Sequence, residues 1–237
     1  MFAGIMPPTP TEAARDLFNV YDADKRRRAV ALIAASPFGG EEPYVKTYRI
    51  MLGRGSDGST LPLDKDATVR ATCAKALGMH GTVDDAELIA PLLKDKVAYV
   101  RWQAAQALQR IHNPVVINAL IQSLNDEDAY VRMAATRALG QYPNRVVFRA
   151  LVGALGDSHF GVVDAAEWAL AIQTGKDFGT DGAAWGEWAD KNPAELFKNQ
   201  QTYVYEPYQK PPGLLDKIQF WKDAEKVEAK QPIGAEL

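Results

Sequence analysis

Apolar positions return every 31 residues through the middle of this chain. Val69, Cys73, Ala76 and Leu77 are followed by Val100, Ala104, Ala107 and Leu108. Val131, Ala135, Ala138 and Leu139 come next, then Val162, Ala166, Ala169 and Leu170. At about 100° per residue, each quartet falls on one helix face, between roughly −20° and 80°. The second position of each quartet is Ala or Cys, small enough to let a neighbouring helix approach closely. Leucine in place of Ala135 is expected to overpack this seam and lower stability by about 1–3 kcal/mol, as read by urea unfolding.

A second apolar run precedes three of these helices: Leu88, Ile89, Leu92 and Leu93, then Val116, Ile117, Leu120, Ile121 and Leu124, then Val147, Phe148, Leu151, Val152 and Leu155. Asn113-Pro114 reads as an N-cap followed by a first helical position. Each unit is therefore helix, turn, helix. Two short helices cannot bury their apolar faces alone, and a fixed period without drift signals stacked copies sharing one core. The predicted fold is all-α, a right-handed α-solenoid of helical hairpins.

The polar positions keep the same step. Aspartates stand at 64, 95, 126 and 157, and Arg70, Arg101 and Arg132 follow the first three by six residues. The expectation is a structural ladder of Asp64, Asp95, Asp126 and Asp157 with Arg70, Arg101 and Arg132, each guanidinium forking onto carboxylate or carbonyl oxygens. The alternative is capping aspartates and solvated arginines. Asp66 and Asp128 are further cap candidates. In the last copy Val163 replaces the arginine, as suits an end repeat with no next neighbour.

The pattern Asp-x-x-x-x-Val-Arg-x-x-Ala-Ala-x-Ala-Leu-Gly resembles the short HEAT-like repeats of the phycobilisome-lyase type, over roughly residues 64–172. The resemblance is specific for the fold and says little about chemistry. Such repeats occur in bilin lyases, in a di-iron hydroxylase and in many bacterial proteins without an assigned role.

The flanks divide into a loose arm (1–10), a degenerate opening repeat with an insertion (11–63), a capping segment (173–198) and a strap with an amphipathic helix (199–237). In the opening part, helices are expected over Thr11–Phe18, Lys25–Ser36 and Glu42–Leu52, with Asp22 and Arg28 in the six-residue relation of the ladder. The run Lys25-Arg26-Arg27-Arg28 reads as a solvated helix face. Thr174 to Trp188 resembles the closing segment of HEAT-like proteins of planctomycete-type bacteria, and Phe178, Trp185 and Trp188 suit an apolar lid on the last repeat. Tyr203, Tyr205, Pro207, Tyr208, Pro211 and Pro212 suit an extended strap. The closing helix, Leu214–Ala229, carries Leu214, Ile218, Trp221 and Ala224 on one face. Folding back on the solenoid and docking on a partner are both open to this tail.

Composition narrows the function classes. The net charge is −3 over 237 residues, which argues against a mainly electrostatic nucleic-acid binder. The one cysteine, Cys73, lies on the core face and reads as a small filler. No apolar run has membrane-spanning length. No secretion signal is visible, so a soluble cytoplasmic protein is the default, or a periplasmic or envelope-associated one if a leader was removed. His80, His112 and His159 are followed by Gly, Asn and Phe. The His-Glu pairs that the di-iron relatives need are missing, so no metal and no cofactor is expected. No phosphate-binding loop or nucleophile elbow appears either.

On each second helix the side opposite the core stripe remains. Trp102 and Gln106 lie at about 200° and 240° from Val100. In HEAT-like solenoids this side faces the concave groove. The candidate partner-binding ridge is Lys75, Trp102, Gln106, Met133, Arg137 and Trp168, residue types that favour interface cores. The strap lying in this groove over Trp102 and Met133 is the competing arrangement. The sequence points to a non-catalytic scaffold for a protein or peptide. A lyase-type or enzyme-accessory role with a small aromatic ligand comes second, and nucleic-acid binding third.

Overall fold

The computed structural model describes residues 9–206 and 228–235. Its helices are α1 (Pro10–Ala13), α2 (Ala23–Ala34), α3 (Glu42–Met51), α4 (Ala67–His80), α5 (Asp85–Ile89), α6 (Ala98–Gln109), α7 (Ile117–Ser123), α8 (Ala129–Leu139), α9 (Arg145–Ala154), α10 (Phe160–Thr174) and α11 (Gly182–Lys191). Short 3-10 turns extend α1, α5 and the start of α7. Among the described residues there are isolated β-bridges but no strand.

The second helices α2, α4, α6, α8 and α10 pack against one another in chain order, and α3, α7 and α9 pack against α4, α8 and α10. The predicted stripe is what they bury. Val69, Val100, Val131 and Val162 are at most 1% exposed, and Cys73, Ala104, Ala135 and Ala166 are fully buried. One apolar core runs from Ala13 in the opening turn to Leu196 beyond α11. The fold is an all-α repeat solenoid. The approach between α4 and α6 is close enough that a Cβ on Gly78 would meet the Ala107 Cα at 2.8 Å, so glycine is required there.

Polar side chains start the helices. Asp66 accepts from the Thr68 and Val69 amides, Asp128 from Tyr130 and Val131, Asn144 from Val146 and Val147, and Asp181 from Ala183 and Ala184. These acceptors satisfy amides that the helix itself leaves open. Gly175, at φ 64°, ends α10 in the left-handed region.

The opening repeat differs from the sequence expectation. α2 starts at Ala23 rather than Lys25, because Asp22 caps it by accepting from the Lys25 amide. The expected first helix is shorter, Pro10–Ala13 followed by a 3-10 turn to Asp16. The basic run is not wholly solvated either. Arg27 and Arg28 pair with Asp24 on their own helix, while Arg26 turns inward.

Beyond α10 the chain closes the end of the stack. Trp185 is fully buried, donates from Nε1 to the Gly179 carbonyl at 2.8 Å, and stands edge-on to Phe178 at 4.9 Å and Phe148 at 6.3 Å. The chain then doubles back. The Gln201 amide donates to the Ile172 carbonyl, and the Tyr203 hydroxyl to the Arg137 carbonyl at 2.7 Å. Tyr205 exchanges two backbone bonds with Lys230, and Ile233 bridges to Arg110 and His112. The described tail therefore folds back on its own solenoid. Most of the expected closing helix, 214–227, lies outside the described residues.

Candidate functional site

Two sets of side chains stand out, one between the repeats and one on the side of the second helices away from the core.

Between repeats, each arginine reaches forward. Arg70 places Nε and Nη2 on the two Asp95 oxygens at 2.8 and 3.0 Å, Arg101 on Asp126 at 2.7 and 2.8 Å, and Arg132 on Asp157 at 2.7 and 2.9 Å. Each Nη1 donates backwards to the carbonyl of its own repeat's aspartate, Asp64, Asp95 or Asp126. Each carboxylate also accepts a backbone amide two residues on, from Asp66, Val97, Asp128 or His159. The guanidinium fork matches carboxylate geometry, so each rung is bidentate.

Arg26 closes a fourth rung onto Asp64, at 2.9 Å twice. The sequence singled out Arg28, which instead is 67% exposed and pairs with Asp24. The reason is the helix start. The inward arginine lies four residues after the cap: Asp66 to Arg70, Asp128 to Arg132 and Asp22 to Arg26. Asp22 is thus the cap of its repeat, and Asn19, seven residues before Arg26 rather than six, takes the aspartate's part: its side chain accepts from the Tyr21 and Asp22 amides and its carbonyl from Arg26 Nη1.

The environment of the rungs fixes a pH dependence. The Arg132 bond holds the Asp157 carboxyl below its ordinary value of 3.8. At Asp95 and Asp126 burial pushes upward, but the bonds from Arg70 and Arg101 and from the backbone outweigh it, and both also lie below 3.8. A depressed folded value means the unfolded chain takes up protons first as pH falls. The stabilisation is complete above about pH 4 and is lost as pH drops through the lower folded values. Unfolding free energy measured against pH is expected to fall steeply below about pH 4; a flat profile down to pH 3 contradicts the assignment.

A further bidentate pair lies off the 31-residue step. Arg49 on α3 donates to both oxygens of Asp85, at 2.7 and 2.8 Å, and Asp85 is fully buried. Its 36-residue separation hides it from a search by period.

The histidines serve local structure. His80 Nε2 meets the Ala34 carbonyl, His112 Nδ1 meets Gln141, and His159 Nδ1 accepts from the Gly161 amide. Among the described residues no group of three His, Cys, Asp or Glu side chains is placed to hold a metal. Cys73 is buried beside the Met51 sulfur, and burial pushes its thiol well up, so it is a poor nucleophile.

The ridge divides in two. Gln106, Arg137 and Trp168 share a hollow of about 510 Å³ with Arg110 and Tyr205. Here the tail is already seated: Tyr203 stands edge-on to Trp168 at 5.4 Å, and the Arg110 guanidinium lies 5.8 Å from the Tyr205 ring centre. Burial pushes the pKa of Arg110 and of half-buried Lys75 downward. Trp102 belongs to the other half. Trp102 helps line a hollow of about 340 Å³ with Ala98, Tyr99, Asp128 and Tyr130. No described tail residue lines that hollow, so the described strap does not cover Trp102. Met133 sits against Gly161, where an added Cβ would meet its sulfur at 3.1 Å.

Tyr99 and Tyr130, 47% and 60% exposed, were missed by the sequence reading. The signal was present: they are 31 residues apart and precede the core valines by one. That places each at about −100°, on the side of Trp102 and Gln106.

Comparison with known proteins agrees with this architecture. Residues 86–171 match the family model described as HEAT repeats, so HEAT repeats are present over that stretch. An engineered protein solved by a structural genomics consortium superposes with a TM-score of 0.54 at 18% identity, covering 79% of this chain and 92% of that one. The complex of CpcE and CpcF of phycocyanin lyase from Nostoc sp. PCC7120 gives 0.43 at 19% identity, covering 70% and 77%. No curated protein matches the chain significantly in sequence. Solenoids of this kind generally offer extended concave surfaces for partner proteins. No helix among the described residues is long and apolar enough to cross a membrane.

Proposed function

We propose that this protein is a non-catalytic scaffold that binds a protein or peptide partner along its second helices. The observation that carries this reading is the row of Tyr99, Trp102 and Tyr130, whose two tyrosines are exposed and whose hollow no described tail residue lines. Exposed aromatic rings in a row are costly to leave in water and are favoured as interface anchors. Trp102 and Met133 are the anchors in this reading. Arg137 and Trp168 lie at the tail-seated end and border the site.

Affinity capture from source-cell lysate tests it. A Trp102→Ala, Tyr130→Ala variant of wild-type helicity is expected to lose a partner that wild type retains. Equal recovery by both proteins overturns the ridge as the binding surface.

A further inference from the structure

The spacing of the exposed rings carries more than the presence of a surface. Tyr99 and Tyr130 occupy the same position on α6 and α8, which pack side by side. Neighbouring packed helices are about 8–10 Å apart, so equivalent side chains repeat across the stack at about that distance. A polyproline-II strand advances roughly 3.1 Å per residue with three residues per turn, so every third side chain returns to the same edge after roughly 9 Å. An extended strand crossing the helices can therefore set residues i and i+3 on Tyr99 and Tyr130 in turn. In the next repeat the equivalent position is Gly161, so the pair of rings ends the series there. An α-helical ligand repeats along one face at a different interval and does not share this register.

Two polar features fit the same occupant. The Trp102 indole N–H is buried without an acceptor, and a polyproline-II strand leaves all of its carbonyls free to accept. Pairing them requires the indole to turn outward on binding, so its N–H reports the event. Asp128 uses Oδ1 to cap α8. Its Oδ2 takes part in no hydrogen bond or ion pair among the described residues, and the carboxylate borders the hollow. A basic side chain on the ligand complements it.

We infer that the ridge of Tyr99, Trp102 and Tyr130 binds a proline-rich polyproline-II segment of a partner protein, with a basic residue of that segment beside Asp128. This rests on the scaffold reading and names the chemistry of its partner.

The test uses the isotope-labelled full chain and the Trp102 indole N–H resonance, assigned by its loss in Trp102→Phe. The probes are synthetic peptides. One carries proline at every third position and a single lysine, a second has the same composition with prolines at every fourth position, and a third is an amphipathic helix. The first is expected to shift the resonance saturably. The second should bind at least about tenfold more weakly, as should the first to Tyr99→Ala, Tyr130→Ala. Asp128→Asn keeps the cap and should weaken the first peptide several-fold, while leaving unchanged the binding of that peptide with its lysine replaced by alanine.

Equal binding of both proline spacings, preference for the helical peptide, or indifference to the tyrosine replacements overturns the inference. If no peptide binds while lysate capture still depends on Trp102 and Tyr130, the polyproline-II inference falls and the scaffold reading stands. If capture is indifferent too, both fall.

Discussion

Alanine in place of Arg101 is expected to lower the unfolding free energy by about 3–5 kcal/mol. Arg101 and Asp126 are nine-tenths buried, with side-chain exposures of 9% and 10%. Removing the guanidinium strands the Asp126 carboxylate in that site and leaves the Asp95 carbonyl without its donor. The loss comes from the abandoned charge more than from the missing attraction. Replacing both partners with apolar residues of similar size should therefore cost far less than removing one. Arg28→Ala, on an exposed pair, should stay within about 0.5 kcal/mol. Urea unfolding followed by circular dichroism measures all three. In a solenoid each repeat leans on its neighbours alone, so weakening one junction can split unfolding into two steps. A loss under about 1 kcal/mol for Arg101→Ala would show that the rungs contribute little.

Trp185→Ala is the second large effect, expected to cost about 3–5 kcal/mol. The ring is fully buried, and removing it opens a cavity between Phe148 of the last hairpin and Phe178 of the turn. It also removes the donor to the Gly179 carbonyl. Trp185→Phe retains most of the volume and should cost clearly less. Because α11 packs on α9, hydrogen exchange is expected to quicken first in α9 and α11 and last in α4. Uniform quickening through the stack would contradict a local cap.

The fold class was legible because the core stripe repeats on a rigid period, so each quartet confirms the next. What the period could not supply was position relative to the helix start. It pointed to Arg28, whereas the cap at Asp22 selects Arg26. It also left open which aspartate each arginine meets, since one lies six residues behind and another 25 ahead in the sequence. The ridge suffered from reading only residues after the valine, which hid Tyr99 and Tyr130. Arg49 with Asp85 joins helices outside the repeated pattern and left no periodic trace. The seating of Tyr203 on the Arg137 carbonyl depends on where a non-repeating tail turns back, which no local pattern encodes.

The Arg26 rung carries a lesson in tolerance. It closes across 38 residues where the other three close across 25, yet its distances match theirs. The thirteen additional residues fall before the stepped aspartate, in the stretch that includes the glycine-rich loop after α3, and they leave the junction intact. Foreign sequence can therefore be grafted just ahead of an aspartate without breaking the stack, as a tag, a reporter or a second binding loop. The helical turn from cap to arginine admits no such graft, because one added residue there would turn the guanidinium by about 100° away from its acceptor.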